Sequence, residues 1–281
     1  MTEPRRAKIR WGLLAVHAAL VLACIVNIYP LLRIISVSMR PGNRLISTDL
    51  ALIPDGATLL SYVNVVKDTN FLLWLWNSLI ITAATSLIGV ILASTAGYAF
   101  SRFKFPGNKL GLMLLLGTQM IPAGMLLLPL FLMVMKMGLI NTYLGMVIAY
   151  SVSSLPFSIW ILKGYYDTVP RSLEEAAMVD GTTRIGAFYR IVLPLSTPAL
   201  AIAFLFNFTA AWNEYLVARV ILSNSTKYTW PLGLFELQGQ FITQWGMFAA
   251  GSVLITIPVL LVFLYSSKWL VSGLTLGSVK G

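Results

Sequence analysis

Side chains that could carry out chemistry are few in this 281-residue sequence, and none are grouped for catalysis. The single histidine, His17, and the single cysteine, Cys24, lie in the same apolar segment near the N-terminus. One histidine with no second acid or base beside it cannot form a general acid–base pair, and one cysteine excludes an intrachain disulfide and a cysteine metal site. No two carboxylates share an apolar segment. The sequence therefore predicts no catalytic residues and no bound metal.

A nucleotide-binding loop is also missing. A phosphate-cradling loop needs the pattern G-x-x-x-x-G-K-[ST], and the nearest candidate runs from Gly246 to Gly251. It continues with Ser252 in place of lysine, and it opens an apolar segment. We therefore expect no ATP hydrolysis by this chain and no cofactor bound to it.

Long apolar segments dominate the composition. Hydrophobic residues make up 58% of the chain and charged residues 11%, whereas a soluble domain carries roughly 25% charged residues. A segment of about 20 apolar residues crosses a bilayer, and it must be helical because lipid offers no partner for backbone polar groups. The sequence predicts an all-α membrane protein, a bundle of six transmembrane helices. The predicted spans are residues 11–32, 72–100, 110–135, 139–162, 197–218 and 246–270.

Basic residues are distributed unequally between the two sides of these spans. Thirteen of the 20 Lys and Arg fall on the side of the N-terminus and seven on the other. The short connection from Ser101 to Lys109 holds three basic residues and no acidic one, as cytoplasmic loops do. We predict that both termini are cytoplasmic. The scatter of basic residues between apolar spans argues against a nucleic-acid-binding stripe.

The connection 163–195 mixes polar and apolar residues as a soluble protein does. Ser172 and Glu175 form a capping-box pattern that predicts a helix start, and Gly181 is typical of a helix stop. Thr182 or Thr183 could cap a second short helix that Pro194 ends. From these residues alone, an amphipathic element resting on lipid headgroups is an alternative interpretation.

This connection resembles the EAA motif of ABC importer permeases. The matching residues are Glu175, Ala176, Ala177, Gly181, Ile191, Leu193 and Pro194. Other stretches resemble the carbohydrate branch of that family, which includes maltose and maltodextrin importers. These stretches are Asn77-Ser78, Gly97 to Arg102, Phe105 to Gly107, Trp212 to Glu214, Gly273 to Thr275 and Val279 to Gly281.

The resemblance implies the fold of a type I ABC importer permease, with residues 1–281 as one permease domain in a bacterial or archaeal cytoplasmic membrane. It implies a homologous second permease, a dimer of ATPase subunits that binds ATP and Mg, and an extracytoplasmic sugar-binding protein. Residues 163–195 would be a coupling loop that docks on the ATPase. The coupling residues implied in this way are Glu174, Glu175, Ala176, Ala177, Asp180, Gly181 and Arg184.

A sugar pathway is predicted from side chains that suit hydroxyl groups and sugar rings. The candidates are Asn77, Gln119, Tyr150, Trp212, Asn213 and Glu214, each of which could instead serve packing. Glu214 could also pair with Arg219, because a carboxylate at the edge of a span is costly unless paired. In the outer loop, Tyr228, Gln238 and Gln240 are candidates for contact with the binding protein.

Three alternatives stay open from the sequence. The chain could serve another sugar or sugar derivative. It could be an ion-coupled secondary transporter, which would use intramembrane carboxylates such as Glu214. It could also be a structural or assembly protein of the membrane, in which case replacing Gly181 by a bulky residue would leave transport intact.

Overall fold

The computed structural model describes residues 11–42, 45, 51–239 and 243–277, and within this part of the chain no residue lies in a strand. A π-turn covers Phe188–Val192 and a 3-10 turn covers Ser225–Lys227. The α-helices in chain order are α1 (Trp11–Ser38), α2 (Leu60–Lys67), α3 (Phe71–Arg102), α4 (Asn108–Thr118), α5 (Ala123–Lys136), α6 (Tyr143–Thr168), α7 (Arg171–Val179), α8 (Arg184–Ala187), α9 (Leu193–Leu195), α10 (Thr197–Trp212), α11 (Leu216–Ile221), α12 (Trp230–Glu236) and α13 (Trp245–Gly277).

Membrane-length helices appear where apolar segments were predicted. Among the described residues, four helices are long and apolar enough to cross a bilayer: α1, α3, α6 and α13. Two further candidates are bent pairs. The helices α4 and α5 meet at 105°, and α10 meets the helical stretch Arg184–Leu195 at 76°. The described part of the chain is therefore helical, with four to six segments that are long and apolar enough to cross a bilayer.

Two predicted spans are wrong in detail. The span at 110–135 is broken between α4 and α5, because Pro122 precedes α5 in an extended conformation that the residue before a helix adopts. The span at 197–218 ends at Trp212. There the Glu214 carboxylate accepts the backbone N–H groups of Val217 and Ala218 and starts α11 as a separate helix.

The chain divides into two compact units, the first of which comprises Met1–Thr69 and Leu237–Leu254. Within its described part, the hydroxyls of Ser38 and Tyr62 share a hydrogen bond of 2.8 Å. The Thr58 N–H donates to the Met39 carbonyl at 2.8 Å. The first bond fastens α2 to the end of α1, and the second joins the segments that flank these helices.

The second unit comprises Asn70–Glu236 and Ile255–Gly281, and it is built around α3, which packs against α6 and α10. Small residues permit these crossings. A Cβ placed on Gly97 would lie 3.1 Å from the Lys163 backbone nitrogen on α6, and one on Gly89 would lie 2.8 Å from Asn207 Nδ2 on α10. The stripe of small residues on α3 therefore sets how closely two neighbouring helices approach.

Candidate functional site

The helix α7 begins two residues earlier than the capping pattern predicts. Pro170 occupies the N-cap position and offers no side-chain hydrogen bond, and Arg171 is the first helical residue. Ser172 consequently lies inside the first turn, and the predicted capping box with Glu175 is wrong. Proline suits this place because its fixed φ leads into a helix whose first N–H groups have no internal partner.

The turn between α7 and α8 follows the prediction. Gly181 has a φ of +89°, a left-handed conformation that glycine adopts at little cost. The Thr183 hydroxyl accepts the Gly186 N–H at 3.1 Å and caps α8. Pro194, however, does not end the second helix. A π-turn precedes it, in which Leu193 N–H bonds Phe188 O, and the chain leaves the helix at Ser196.

The outer face of α7 and α8, which we call the docking face, is open to its surroundings. It carries charged groups and the turn glycine beside large apolar side chains. Val179 is 87% exposed and Ile185 is 69% exposed. Of the predicted coupling residues, those exposed are Glu175, Ala176, Asp180, Gly181 and Arg184, with Ala177 partly exposed. Exposed apolar side chains clustered among charges are typical of a protein-binding surface.

Glu174 differs from the other predicted coupling residues because it points into the chain. Its carboxylate accepts hydrogen bonds from Arg102 Nε and from the Tyr98 hydroxyl, both at 2.6 Å. The Arg102 and Glu174 side chains are only 5% and 7% exposed. Tyr98 and Arg102 are four residues apart on α3 and so share one face of that helix. The first turn of α7 is thereby fastened to the last turns of α3.

A wider polar network surrounds this ion pair. Arg102 also donates from Nη2 to the Val169 carbonyl at 2.9 Å and from Nη1 to the Ser101 hydroxyl at 3.0 Å. The Ser101 hydroxyl donates to Asp167 at 2.6 Å, and Asp167 forms an ion pair with Lys163 at 2.6 Å. The ends of α3 and α6 and the start of α7 therefore share one connected set of hydrogen bonds.

Aromatic side chains pack beside this network. The rings of Tyr98 and Phe188 lie 4.4 Å apart, and Tyr166 packs edge-on against both at 6.3 Å. All three are buried in the core of the second unit. The π-turn that follows α8 thus rests on α3 and α6 through apolar contacts.

Sequence reasoning missed Tyr98, Ser101, Arg102 and Asp167 as parts of this site. The available signal was weak: Tyr98 and Arg102 recur at helical spacing where α3 leaves the apolar segment. Arg102 pairs with Glu174, which lies 72 residues further along the chain. A single sequence does not encode such a pairing visibly.

Asn77, a predicted pathway residue, is fully buried and fastens the opposite end of α3. Its Nδ2 donates to the carbonyls of Thr226 and Tyr228, both at 3.0 Å, and its Oδ1 accepts from the Tyr143 hydroxyl at 2.6 Å. Each polar atom of the Asn77 amide has a protein partner. The indole of Trp74 adds a bond of 3.0 Å to the Ser225 carbonyl.

The other predicted pathway residues have varied surroundings. Trp212 and Tyr150 are buried, whereas Asn213 and Gln119 are exposed. Glu214 caps α11, as described above, and its backbone carbonyl accepts the Tyr150 hydroxyl at 3.2 Å. Arg219 lies 3.8 Å from Glu236 rather than beside Glu214.

The residues predicted to contact a binding protein are placed as follows. Tyr228 is 8% exposed, and Gln238 is partly exposed. Gln240 lies outside the described residues.

Comparison with known proteins identifies the family. Residues 85–275 match the model of the binding-protein-dependent transport system inner membrane component. The chain is 38% identical over 300 residues to the maltose/maltodextrin transport system permease protein MalG of Salmonella typhimurium, with 100% of this chain and 99% of that protein covered. It is 36% identical over 298 residues to MalG of Escherichia coli, with the same coverage.

Solved structures share the fold. A chain of a bacterial ABC transporter involved in the import of the acidic polysaccharide alginate matches with a TM-score of 0.80 at 24% identity, covering 95% of this chain and 100% of that one. A second match, to a bacterial alginate transporter in complex with an alginate pentasaccharide-bound periplasmic protein, has a TM-score of 0.66 at 16% identity, covering 91% and 92%. The extent of the family match and the identity to MalG over the full chain show that this protein belongs to the inner-membrane components of binding-protein-dependent transport systems.

Proposed function

We propose that this chain is the permease subunit of an ATP-driven importer of maltose and maltodextrins. The support for the substrate is the identity of 36–38% to MalG proteins over the full chain. The subunit forms half of a translocation pathway with a homologous permease, and an extracytoplasmic binding protein delivers the sugar. ATP and Mg are bound and used by a separate ATPase dimer.

The docking face is the observation that carries this proposal. Two short helices project Val179 and Ile185 outward and are joined by a turn at Gly181 with positive φ. A solvated loop gains nothing from exposing such side chains, whereas an ATPase groove would bury them. Glu175 and Arg184, which are exposed on the same two helices, would add charged contacts to that groove. A compact pair of helices transmits rotation that a flexible loop would absorb.

The proposed topology has six crossings with both termini in the cytoplasm. It counts α4 with α5 as one crossing and takes α10 as the membrane-spanning part of the second bent pair, whose first part, Arg184–Leu195, stays in the cytoplasmic coupling loop. The excess of basic residues on the side of the docking face supports this orientation, because cytoplasmic loops collect Lys and Arg. The docking face then meets the compartment that holds ATP.

The proposed sugar contacts divide by their surroundings. Asn213 and Gln119 are exposed, and although their amide nitrogens donate to the carbonyls of Thr209 at 2.8 Å and Ser153 at 3.4 Å, their side chains are open to a ligand or a partner subunit. Asn77 already uses both amide atoms within the chain. We therefore assign sugar contact first to Asn213 and Gln119, and treat Asn77, Tyr150 and Trp212 as supports of the pathway wall.

Reconstitution tests the function directly. The chain, its partner permease and the ATPase would be placed in vesicles of phosphatidylethanolamine and phosphatidylglycerol, with binding protein and radiolabelled maltotriose outside. We expect uptake that requires ATP inside and survives a protonophore. Uptake that collapses with the protonophore and ignores ATP would instead establish an ion-coupled transporter. Uptake that persists when Gly181 is replaced by Trp would contradict docking through this loop.

A further inference from the structure

The helix α3 is not continuous with the coupling loop. The backbone leads from the loop back into α6 and onward into α10, so a movement of α7 and α8 reaches these two helices directly. Arg102 on α3 and Glu174 on α7 are 72 residues apart in the chain. Movement of α7 therefore reaches α3 either indirectly, through the packing of α6 and α10 on α3, or directly, through side-chain contacts between α7 and α3.

One of these contacts is the Arg102–Glu174 pair. Both carboxylate oxygens of Glu174 accept a hydrogen bond from α3, one from Arg102 and one from Tyr98, each at 2.6 Å. The same guanidinium holds the Val169 carbonyl at 2.9 Å, immediately before α7. Arg171 on α7 returns a bond of 3.1 Å to the Ser101 carbonyl. Several directional bonds thus tie the start of α7 to the last turn of α3.

The burial of this pair distinguishes it from the packing around it. Charge-assisted hydrogen bonds are short and directional, and in a buried site neither ion can be replaced by water without a large penalty. The Tyr98–Phe188 ring contact at 4.4 Å is apolar, and apolar attraction is non-directional. A pull or a rotation of α7 is therefore resisted at the ion pair and tolerated at the rings.

We propose that the Arg102–Glu174 pair is the joint through which movement of α7 and α8 is passed to α3, which makes both residues positioning residues for coupling. This inference rests on the proposed function of the docking face. It adds that Glu174, unlike Glu175, acts inside the permease and not on the ATPase. Without the joint, the start of α7 moves with the ATPase while the last turn of α3 lags.

The variant Glu174→Gln tests the joint because the amide keeps the shape and loses the charge. The assembled complex of both permeases and the ATPase dimer would be reconstituted with binding protein, and maltotriose uptake and ATP hydrolysis would be measured together. We expect normal recovery of the complex and a fall in sugar carried per ATP of about fivefold or more. Glu236→Gln, which removes the exposed ion pair with Arg219, is the matched control and should leave the ratio unchanged.

The outcomes separate the joint from the docking face. An unchanged transport-to-ATP ratio in an intact Glu174→Gln complex would overturn the joint. If that variant is not recovered, the double variant Glu174→Leu with Arg102→Met, which removes both charges of the pair, is measured in its place, and an unchanged ratio again overturns the joint. The proposed function is tested separately by Val179→Asp on the docking face. If this variant keeps its ATPase, then docking through this face is wrong, whatever the result at Glu174.

Discussion

The two ends of α3 are held by different chemistry. At one end the charged pair of Arg102 and Glu174 fastens α3 to the helix that carries the docking face. At the other end the neutral amide of Asn77 fastens it to the backbone of residues 226 and 228. The 32-residue helix is about 48 Å long, so the two attachments act far apart.

This difference indicates what each end does. A buried ion pair is costly to form and costly to break, which suits a place where force crosses between elements. A neutral amide that satisfies two carbonyls costs less and fixes the shape of a loop. The charged end is therefore suited to transmitting movement, and the neutral end to holding its loop still.

Removing the anion at the charged end should have the largest effect. Glu174→Ala leaves a buried guanidinium without its partner, and we expect a loss of about 3–5 kcal/mol in the free energy of unfolding. Chemical unfolding of the purified chain in detergent measures it. The double variant Glu174→Leu with Arg102→Met should recover most of the loss, because no charge stays buried. A loss below about 1 kcal/mol in the single variant would mean that the site is solvated.

At the neutral end, Asn77→Leu should lower the free energy of unfolding by about 2–3 kcal/mol. The reason is that two backbone carbonyls and the Tyr143 hydroxyl lose their hydrogen-bond partner. The same unfolding measurement applies, with the exposed Asn213→Leu as control. The KM for maltotriose uptake by the assembled complex should not change. A raised KM would show that Asn77 contacts sugar and that the neutral end does more than hold a loop.

The turn at Gly181 should show a smaller effect. Gly181→Ala places a side chain at a φ of +89°, which costs about 1 kcal/mol, although a Cβ there would meet no atom within 4 Å. Gly164→Ala is the matched control, because Gly164 also has open space and lies inside α6. That change should be neutral or stabilising by up to about 1 kcal/mol. Equal effects at the two glycines would argue against strain as the cause.

The exposed ion pair between Arg219 and Glu236 sets the lower limit of the series. Arg219 Nη1 and Glu236 Oε1 are 3.8 Å apart, and both side chains are about half exposed. Glu236→Gln should change the free energy of unfolding by less than about 0.5 kcal/mol, because water and salt screen the pair. A loss comparable to that at Glu174 would show that burial is not what separates the charged end from an ordinary surface pair.

Much of the fold was predictable because the apolar spans are local features. Hydropathy located the long apolar helices, and local chemistry predicted the stop at Gly181 and a cap at Thr182 or Thr183, of which Thr183 caps α8. The break at Pro122 and the end of α10 at Trp212 were not predicted. The end of α10 depends on Glu214, which caps the next helix. From the sequence, a carboxylate beside a span could equally be a pathway residue or a helix cap.

The candidate site was predictable in position and only partly in its arrangement. The motif at 174–184 could be read from residue spacing, but the spacing does not tell which of two adjacent glutamates faces inward. The helix places Glu174 against α3 and leaves Glu175 exposed. Similarly, Asn77 suits a sugar hydroxyl by type, and its carbonyl partners at residues 226 and 228 become visible only after folding.

Retention of the ATPase tests the central claim most directly, namely that α7 presents one face to the ATPase and the other to α3. Complexes would be purified through the permease, and ATPase subunits per permease would be counted for Val179→Asp, Glu174→Gln and a control at another exposed apolar residue, Ile53→Asp. We expect Val179→Asp to lose the ATPase, while Glu174→Gln and Ile53→Asp retain it. Full retention by Val179→Asp, or equal loss from Glu174→Gln, would contradict this division of faces.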